Sequence, residues 1–324
     1  MRKLVALVLL TVAAQAWGEP VPGSMEVRWN AGAPDCSATP QPPLQVHAYE
    51  PQTFILRQNP CAHFEASFMY LLVGSESALL IDTGAVEDPQ QMPLAETVMG
   101  LLPVRGDSAI PLIVAHSHSH GDHRAGDSQF LDLPAVRVAP QGLENIRAFH
   151  GMDAWPSGAA QLDLGGRVVD ILPAPGHRSD HLVFYDSRTA VLFSGDFLLP
   201  GRLLIDDAAD YRASAIRIAD YLEDRPVAHI LGGHLELDAD GQPYSRGSQH
   251  HPDERRLELG KDDLLALSRA FESFNGFYAR HPNFILTDPV RNLSALAFAA
   301  AIVLIMVALF LRSFLRRRRA HAGG

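Results

Sequence analysis

Residues 115–123 read Ala115-His116-Ser117-His118-Ser119-His120-Gly121-Asp122-His123. Four histidines and an aspartate fall within eight residues, directly after the apolar run Ile110 to Ala115, which reads as a buried strand. Burying so many polar rings without partners is costly, so the segment needs something to bind. Imidazole and carboxylate are the usual ligands of zinc, and a loop at a strand end aims several side chains at one place. Taken alone, the segment is also compatible with a solvated histidine-rich loop, so its surroundings matter.

Working outward, three further short motifs stand where apolar runs end. Pro175-Gly176-His177 follows Val168 to Leu172, Ser194-Gly195-Asp196 follows Ala190 to Phe193, and Gly232-Gly233-His234 follows Val227 to Leu231. Upstream, Ile81-Asp82-Thr83-Gly84 closes a strand pair, Phe68 to Val73 and Ala78 to Ile81, joined by the turn Gly74-Ser75-Glu76-Ser77. Further strands are expected at Val136 to Ala139 and His181 to Tyr185. Helices are expected at Met92 to Leu102, Gly142 to Phe149, along the face Tyr211, Ala215, Ile218 and Leu222, and around Asp262 to Phe274. Strands mixed with surface helices indicate a layered α/β or α+β domain. The segment Asp238 to Arg256, with His250, His251 and several charges, reads as a solvated connection rather than a loop over a site.

These five motifs, in this order over residues 68 to 234, resemble the metallo-β-lactamase superfamily, whose His-x-His-x-Asp-His signature stands here as His118-Ser119-His120-Gly121-Asp122-His123. Starting the register at His116 would put His120 where the aspartate belongs, so His116 is left to a supporting or structural role. The resemblance implies an α/β fold of the αββα sandwich type, two mixed β-sheets flanked by helices, with metals at one edge. It implies two Zn2+ cofactors, one held by His118, His120 and His177, the other by Asp122, His123 and His234, with Asp196 between them. Iron or manganese is less favoured, since the di-iron members typically carry Glu where His120 stands. Asp82 would orient the histidine loop through hydrogen bonds. His181 is assigned either to orienting a ligand or substrate or to the surface.

The resemblance further implies hydrolysis of a small molecule by a hydroxide shared between two metals, with Asp122 and His120 as the catalytic residues and Asp122 holding or shuttling the proton. A bridging aspartate such as Asp196 is similar to that of the family's thioesterases, lactonases and phosphodiesterases, whereas its β-lactamases usually carry Cys or Ser there. The expected bond is therefore an ester, thioester or lactone. A β-lactam amide is the second reading, and iron-dependent redox chemistry or a non-catalytic binding module are readings of other classes.

The ends of the chain address its location. Arg2 and Lys3, the apolar run Leu4 to Ala14 and the small-x-small triplet Ala14-Gln15-Ala16 form the pattern of a signal peptide over residues 1–16. Pro20, Pro22, Pro34, Pro40, Pro42 and Pro43 mark residues 17–45 as an extended leader. A catalytic domain is expected over 46–285, a juxtamembrane linker over 286–292, a transmembrane helix over 293–311 and a basic cytoplasmic tail over 312–324. Leu293 to Leu311 carries no charge and is long enough to span a bilayer. Arg312 and Arg316 to Arg319 would keep its C-terminus in the cytoplasm, which puts the body on the periplasmic side of an inner membrane. Of 27 basic residues, seven lie in these two end segments, leaving 20 against 37 acidic ones. So acidic a body is a poor partner for nucleic acid. Cys36 and Cys61 are the chain's two cysteines. An oxidising compartment allows them to form a bridge, two free thiols being the alternative. Oligomeric state leaves no sequence signal.

Overall fold

In the strand Phe68–Val73, Phe68, Tyr70 and Leu72 point to one side and Met69, Leu71 and Val73 to the other, and all six are buried. A strand apolar on both faces must lie between two layers. The computed structural model describes residues 19–322, with side chains described to residue 313, and shows both layers. The segment 1–16 lies outside the described residues.

The first half of the chain forms β1 (Leu44–Glu50), β2 (Thr53–Gln58), β3 (Phe68–Val73), β4 (Ala78–Ile81), α1 (Leu94–Leu101), a small hairpin of β5 (Val104–Arg105) and β6 (Ser108–Ala109), β7 (Leu112–Ala115), the one-turn α2 (Gly121–Arg124), β8 (Val136–Val138) and α3 (Leu143–His150). The second half forms β9 (Ala160–Asp163), β10 (Val168–Pro173), β11 (Leu182–Asp186), β12 (Val191–Gly195), β13 (Arg202–Leu204), α4 (Ala208–Tyr221), β14 (His229–Gly232), α5 (Lys261–Ser273), β15 (Tyr278–Arg280), β16 (Ile285–Thr287) and α6 (Pro289–Ala322).

Six strands pair in the order β1-β2-β3-β4-β7-β8, antiparallel as far as β4 and parallel from β4 to β8. Five pair as β14-β12-β11-β10-β9, with β12 and β14 parallel and the rest antiparallel. Between the two sheets, Ile55, Tyr70 and Leu79 meet Val169, Phe184 and Phe193 in one apolar layer. Outside the first sheet, Leu56, Met69 and Leu80 pack with Val98 of α1. Outside the second, Val183, Tyr185 and Leu192 pack with Ile218 of α4 and Leu264 and Phe271 of α5. The result is an αββα sandwich.

The leader is extended but is fastened to the body. Trp29 meets Phe68 edge to face at 5.0 Å, Ala31 accepts a backbone hydrogen bond from His251, and Cys36 is joined to Cys61 by a disulfide. The segment Asp238 to Arg256 is held too, contrary to the solvated connection expected of it. Arg57 of β2, wholly buried, grips Glu254 with two hydrogen bonds of 2.6 and 2.5 Å, and the partnered charges hold the segment against the sheet.

A small sheet, β13-β16-β15, ends in α6. Asp288 accepts a hydrogen bond from the Arg291 N–H at 2.7 Å and caps the helix, and Pro289 suits its first turn. Within Pro289–Ser313 an 18-residue window has a mean hydropathy of 2.8 and none of it is buried, so this helix is long and apolar enough to cross a membrane.

Candidate metal centre

Strands β7, β10, β12 and β14 end at one edge of the sandwich, and their exits carry the histidine loop, His177, Asp196 and His234 respectively. Seven side chains from both sheets thus converge. His118 Nε2, His120 Nδ1 and His177 Nε2 lie 2.8 to 3.2 Å from one another. A second group joins His234 Nε2 to His123 Nε2 at 3.2 Å and to Asp122 Oδ2 at 3.2 Å. Asp196 stands between the groups, its Oδ2 3.7 Å from His177 Nε2 and its Oδ1 3.4 Å from His123 Nε2.

Two glycines make this approach possible. Gly195, before Asp196, has φ +51°, and a Cβ there would lie 2.4 Å from the Ser117 Cβ. Gly176, before His177, has φ +138°, and its Cβ would lie 2.3 Å from the Tyr211 Cα. Only glycine adopts such backbone without strain and leaves the neighbouring loop or helix room.

The hydrogen bonds behind the cluster orient the rings. Nδ1 of His177 meets the Leu204 carbonyl and Nδ1 of His234 the Glu65 carbonyl, both at 2.8 Å. A carbonyl only accepts, so Nδ1 carries a proton in both rings and Nε2 is the nitrogen turned toward the cluster. Nδ1 of His123 lies 2.8 Å from Asp82 Oδ2. Asp82 also accepts from the Ser117 N–H at 2.7 Å and from the Ser117 hydroxyl at 2.8 Å, and that hydroxyl lies 3.1 Å from His118 Nδ1. Ring nitrogens and carboxylate oxygens gathered at such separations are held together either by shared protons or by a cation that displaces them. Asp196 Oδ1 is buried and receives no hydrogen bond. The donor set, all imidazole nitrogen and carboxylate oxygen, fits one or two divalent ions of the zinc type.

Charge is divided across the cluster. Burial, reinforced by the surrounding imidazoles His123 and His177, holds His118 well below the ordinary histidine range, and burial and His177 lower His120. On the other side burial opposes protonation, but the carboxylates prevail. Asp196 and Asp82 raise His123 well above its ordinary value, and Asp196 and Asp122 push His234 up to about 10. Burial likewise opposes ionisation of Asp122 and Asp196, yet His234 and His123 hold both below the usual carboxylate range.

The supporting residues fall out differently. Asp82 bonds the histidine loop, whereas His116 points away from the cluster to Asp127 Oδ1 at 2.7 Å. His181 is buried, not at the surface: its ring stacks on His118 at 5.0 Å, and neither of its nitrogens has a hydrogen-bond partner among the described residues. Sequence reading passed over Ser117, whose hydroxyl touches both Asp82 and His118, although it lies between two of the histidines. It also passed over Leu204 and Glu65, which act through backbone carbonyls and leave no trace in residue type.

The cluster lies at the bottom of a cleft of about 540 Å3, lined by His120, Asp122, His177, Asp196 and His234 together with Phe64, Leu199, Arg202, Leu204 and Leu235. Tyr244, Ser245, Arg246, Ser248 and His251 form another wall, so the segment expected to be a plain connection borders the site.

The profile of the metallo-beta-lactamase superfamily matches residues 64–234. With the sandwich and the edge cluster already in place, this chain belongs to that superfamily. It is 30% identical over 136 residues to a hydroxyacylglutathione hydrolase of Synechococcus sp. (strain JA-2-3B'a(2-13)), over 42% of this chain and 50% of that one. It is 24% identical over 202 residues to the acyl-coenzyme A thioesterase MBLAC2 of Gallus gallus, over 52% of this chain and 72% of that one. The match to the first of these thus spans half of that relative's length. A metallo-beta-lactamase from Pontibacter korlensis superposes with a TM-score of 0.48 at 16% identity, over 71% of this chain and 100% of that chain.

Proposed function

We propose that this protein is a metal-dependent hydrolase that cleaves a thioester or related acyl ester at the seven-residue cluster, and that it works outside the cytoplasm on a single membrane anchor. The observation that carries the reading is Asp196, whose two carboxylate oxygens face the two ligand groups separately at 3.7 and 3.4 Å. A carboxylate there, rather than Cys or Ser, is what the resemblance associates with thioesterases, lactonases and phosphodiesterases, and the hydroxyacylglutathione hydrolase and acyl-coenzyme A thioesterase relatives carry names of the first of these chemistries.

In this reading His118, His120 and His177 would hold one ion and Asp122, His123 and His234 the other, with Asp196 between them; zinc is the ion proposed, since imidazole and carboxylate are among its usual ligands and His120 stands where the di-iron members have Glu. When bound, divalent ions in such a site act as Lewis acids that polarise the bond to be broken and make water nucleophilic near neutral pH. The remaining work belongs to the chain. Asp122, with its side chain 23% exposed, is the ligand carboxylate most open to the cleft and takes the proton that water loses. Phe64, Leu199, Leu204 and Leu235 give the cleft an apolar wall for an acyl group, and Arg246 adds a cation to it, whereas Arg202 is paired with Glu236 at 3.1 Å.

Residues 1–16 direct export, 293–311 span the bilayer, and the arginines after them stay inside. The exposed apolar side chains of α6, among them Leu293 at 67% and Phe298 at 71%, have hydrocarbon as their natural surroundings.

Purified full-length protein, loaded with zinc in detergent, tests the function against acetyl and glutathione thioesters, a lactone and a chromogenic cephalosporin. Thioester cleavage with the cephalosporin intact is expected. Rapid cephalosporin turnover without thioester cleavage would replace this reading with β-lactam hydrolysis.

A further inference from the structure

The helix that leaves the body starts at the cleft. Pro289, its first residue, lines the cleft beside Arg202 and Leu204 of β13. The connection is short and hydrogen-bonded throughout. β13 pairs with β16, Arg202 opposite Ile285 and Leu204 opposite Thr287, and the Leu204 carbonyl holds His177. Asn292, on the first turn of α6, bonds the Phe277 carbonyl at 3.1 Å and the Thr287 hydroxyl at 3.2 Å, which fixes the helix to the small sheet.

Distance then decides where the cleft stands. The uncharged stretch begins at Leu293, four residues after Pro289. At helical rise that is about 6 Å. Each interfacial layer of a bilayer is roughly 5 to 7 Å thick, so with 293–311 in the hydrocarbon the cleft wall at Pro289 lies at headgroup depth. A second observation agrees. Before Pro289 the described body exposes six large hydrophobic side chains, and two of them, Phe277 at 41% and Tyr278 at 50%, stand together at the base of α6. Aromatic side chains concentrate at that level of a membrane. Arg291, whose guanidinium lies 5.8 Å from the Phe277 ring, adds a cation where lipid phosphates would be.

We infer that the cleft opens onto the bilayer surface and that the substrate is an acyl thioester or ester whose long chain stays in the membrane while its carbonyl enters the cleft. The substrate class rests on the hydrolase reading above, and the position of the cleft on the membrane anchor proposed there. In the reaction, water supplies the oxygen that joins the acyl carbon, the acyl carbon–sulfur or carbon–oxygen bond breaks, the leaving thiol or alcohol takes one proton, and the fatty carboxylate is released with loss of the other.

Full-length protein in phosphatidylcholine vesicles provides the test. Both native cysteines are in the disulfide, so Ser245→Cys on the cleft wall can be labelled singly with a fluorophore. Asp107→Cys, in the hairpin that leads into the opposite end of β7, serves as the control. Lipids carrying a headgroup nitroxide are expected to quench the label at 245 and not at 107. Equal or absent quenching at 245 would overturn the position of the cleft. The second arm compares acetyl with hexadecanoyl thioesters and with a hexadecanoyl oxygen ester. The long chain is expected to raise kcat/KM by at least about tenfold, and diluting it with inert lipid to lower the rate in proportion. An acetyl thioester cleaved equally well, with no effect of added lipid, would overturn the substrate class. Quenching at 245 with no ester or thioester cleaved at any chain length would reject the hydrolase reading and the substrate class together, and leave the position of the cleft standing.

Discussion

Ser117 carries no charge and is not among the proposed ligands, yet it ties Asp82 to two residues that are. Its hydroxyl and N–H both donate to Asp82, and the same hydroxyl lies beside His118 Nδ1 and, at 3.3 Å, His123 Nδ1. Ser117→Ala and Asp82→Asn should therefore each weaken metal affinity by roughly 10- to 100-fold without unfolding the protein. Competition with a chelator of known affinity measures this, and unchanged affinity in both variants would remove the supporting role. The imidazoles make a second prediction. In metal-free protein His234 keeps its proton to about pH 10, and His123 is raised as well, because carboxylates outweigh burial at both. A raised histidine stabilises the metal-free fold fully below its unfolded value near pH 6.5. That contribution is lost as pH climbs toward the folded value. A cation must displace these protons, so zinc added to metal-free protein at pH 7 should release about two protons per chain, and its affinity should fall on acidification. Titration in weak buffer with a pH indicator reads the release; none would contradict the assigned ring geometry. The histidine loop stood out in the sequence by its residue types, and the full set of seven proposed ligands followed from the resemblance to the family. Leu204 and Glu65 were not, since any residue type offers a carbonyl.

At the scale of elements, legibility followed length and periodicity. β3, β11 and β12 are uninterrupted apolar runs, and α4 places Tyr211, Ala215 and Ile218 on one buried face, so each was readable alone. β13, β15 and β16 have three residues each, too short for any period, and exist because they pair with one another. β1 was hidden for another reason. It is a half-exposed strand whose buried residues include Glu50, held by the Thr53 hydroxyl at 2.6 Å. Two predictions belong here. Gly195→Ala drives a methyl group toward Ser117 at a positive φ, which should cost about 3 kcal/mol. That corresponds to roughly 10 °C in Tm, and calorimetry that finds no loss would contradict the close packing of β12 against the histidine loop. The Cys36–Cys61 bridge closes a separation of 25 residues. Chain entropy over such a loop is worth about 3 kcal/mol. Replacing both cysteines by Ser should therefore lower Tm by a similar amount, and an unchanged Tm would mean that the leader is already fixed by its other contacts.

For the molecule as a whole, the sandwich and the centre are one structure. His118, His120, Asp122 and His123 follow a strand of the first sheet, while His177, Asp196 and His234 follow strands of the second. Neither sheet completes a site. Ions bound across this seam would hold the layers together and stabilise the fold by mass action. The same architecture sets the cleft beside the first turn of α6, so the cluster and the apolar helix share one end of the body. Metal stoichiometry tests the central claim most directly. Full-length protein, purified in detergent and analysed by elemental mass spectrometry, should hold two zinc ions per chain, and a double substitution of His177 and Asp196 by Ala should lose both while remaining folded by circular dichroism. A folded wild-type chain that binds no metal after zinc is supplied, or a double variant that keeps two ions, would contradict the account.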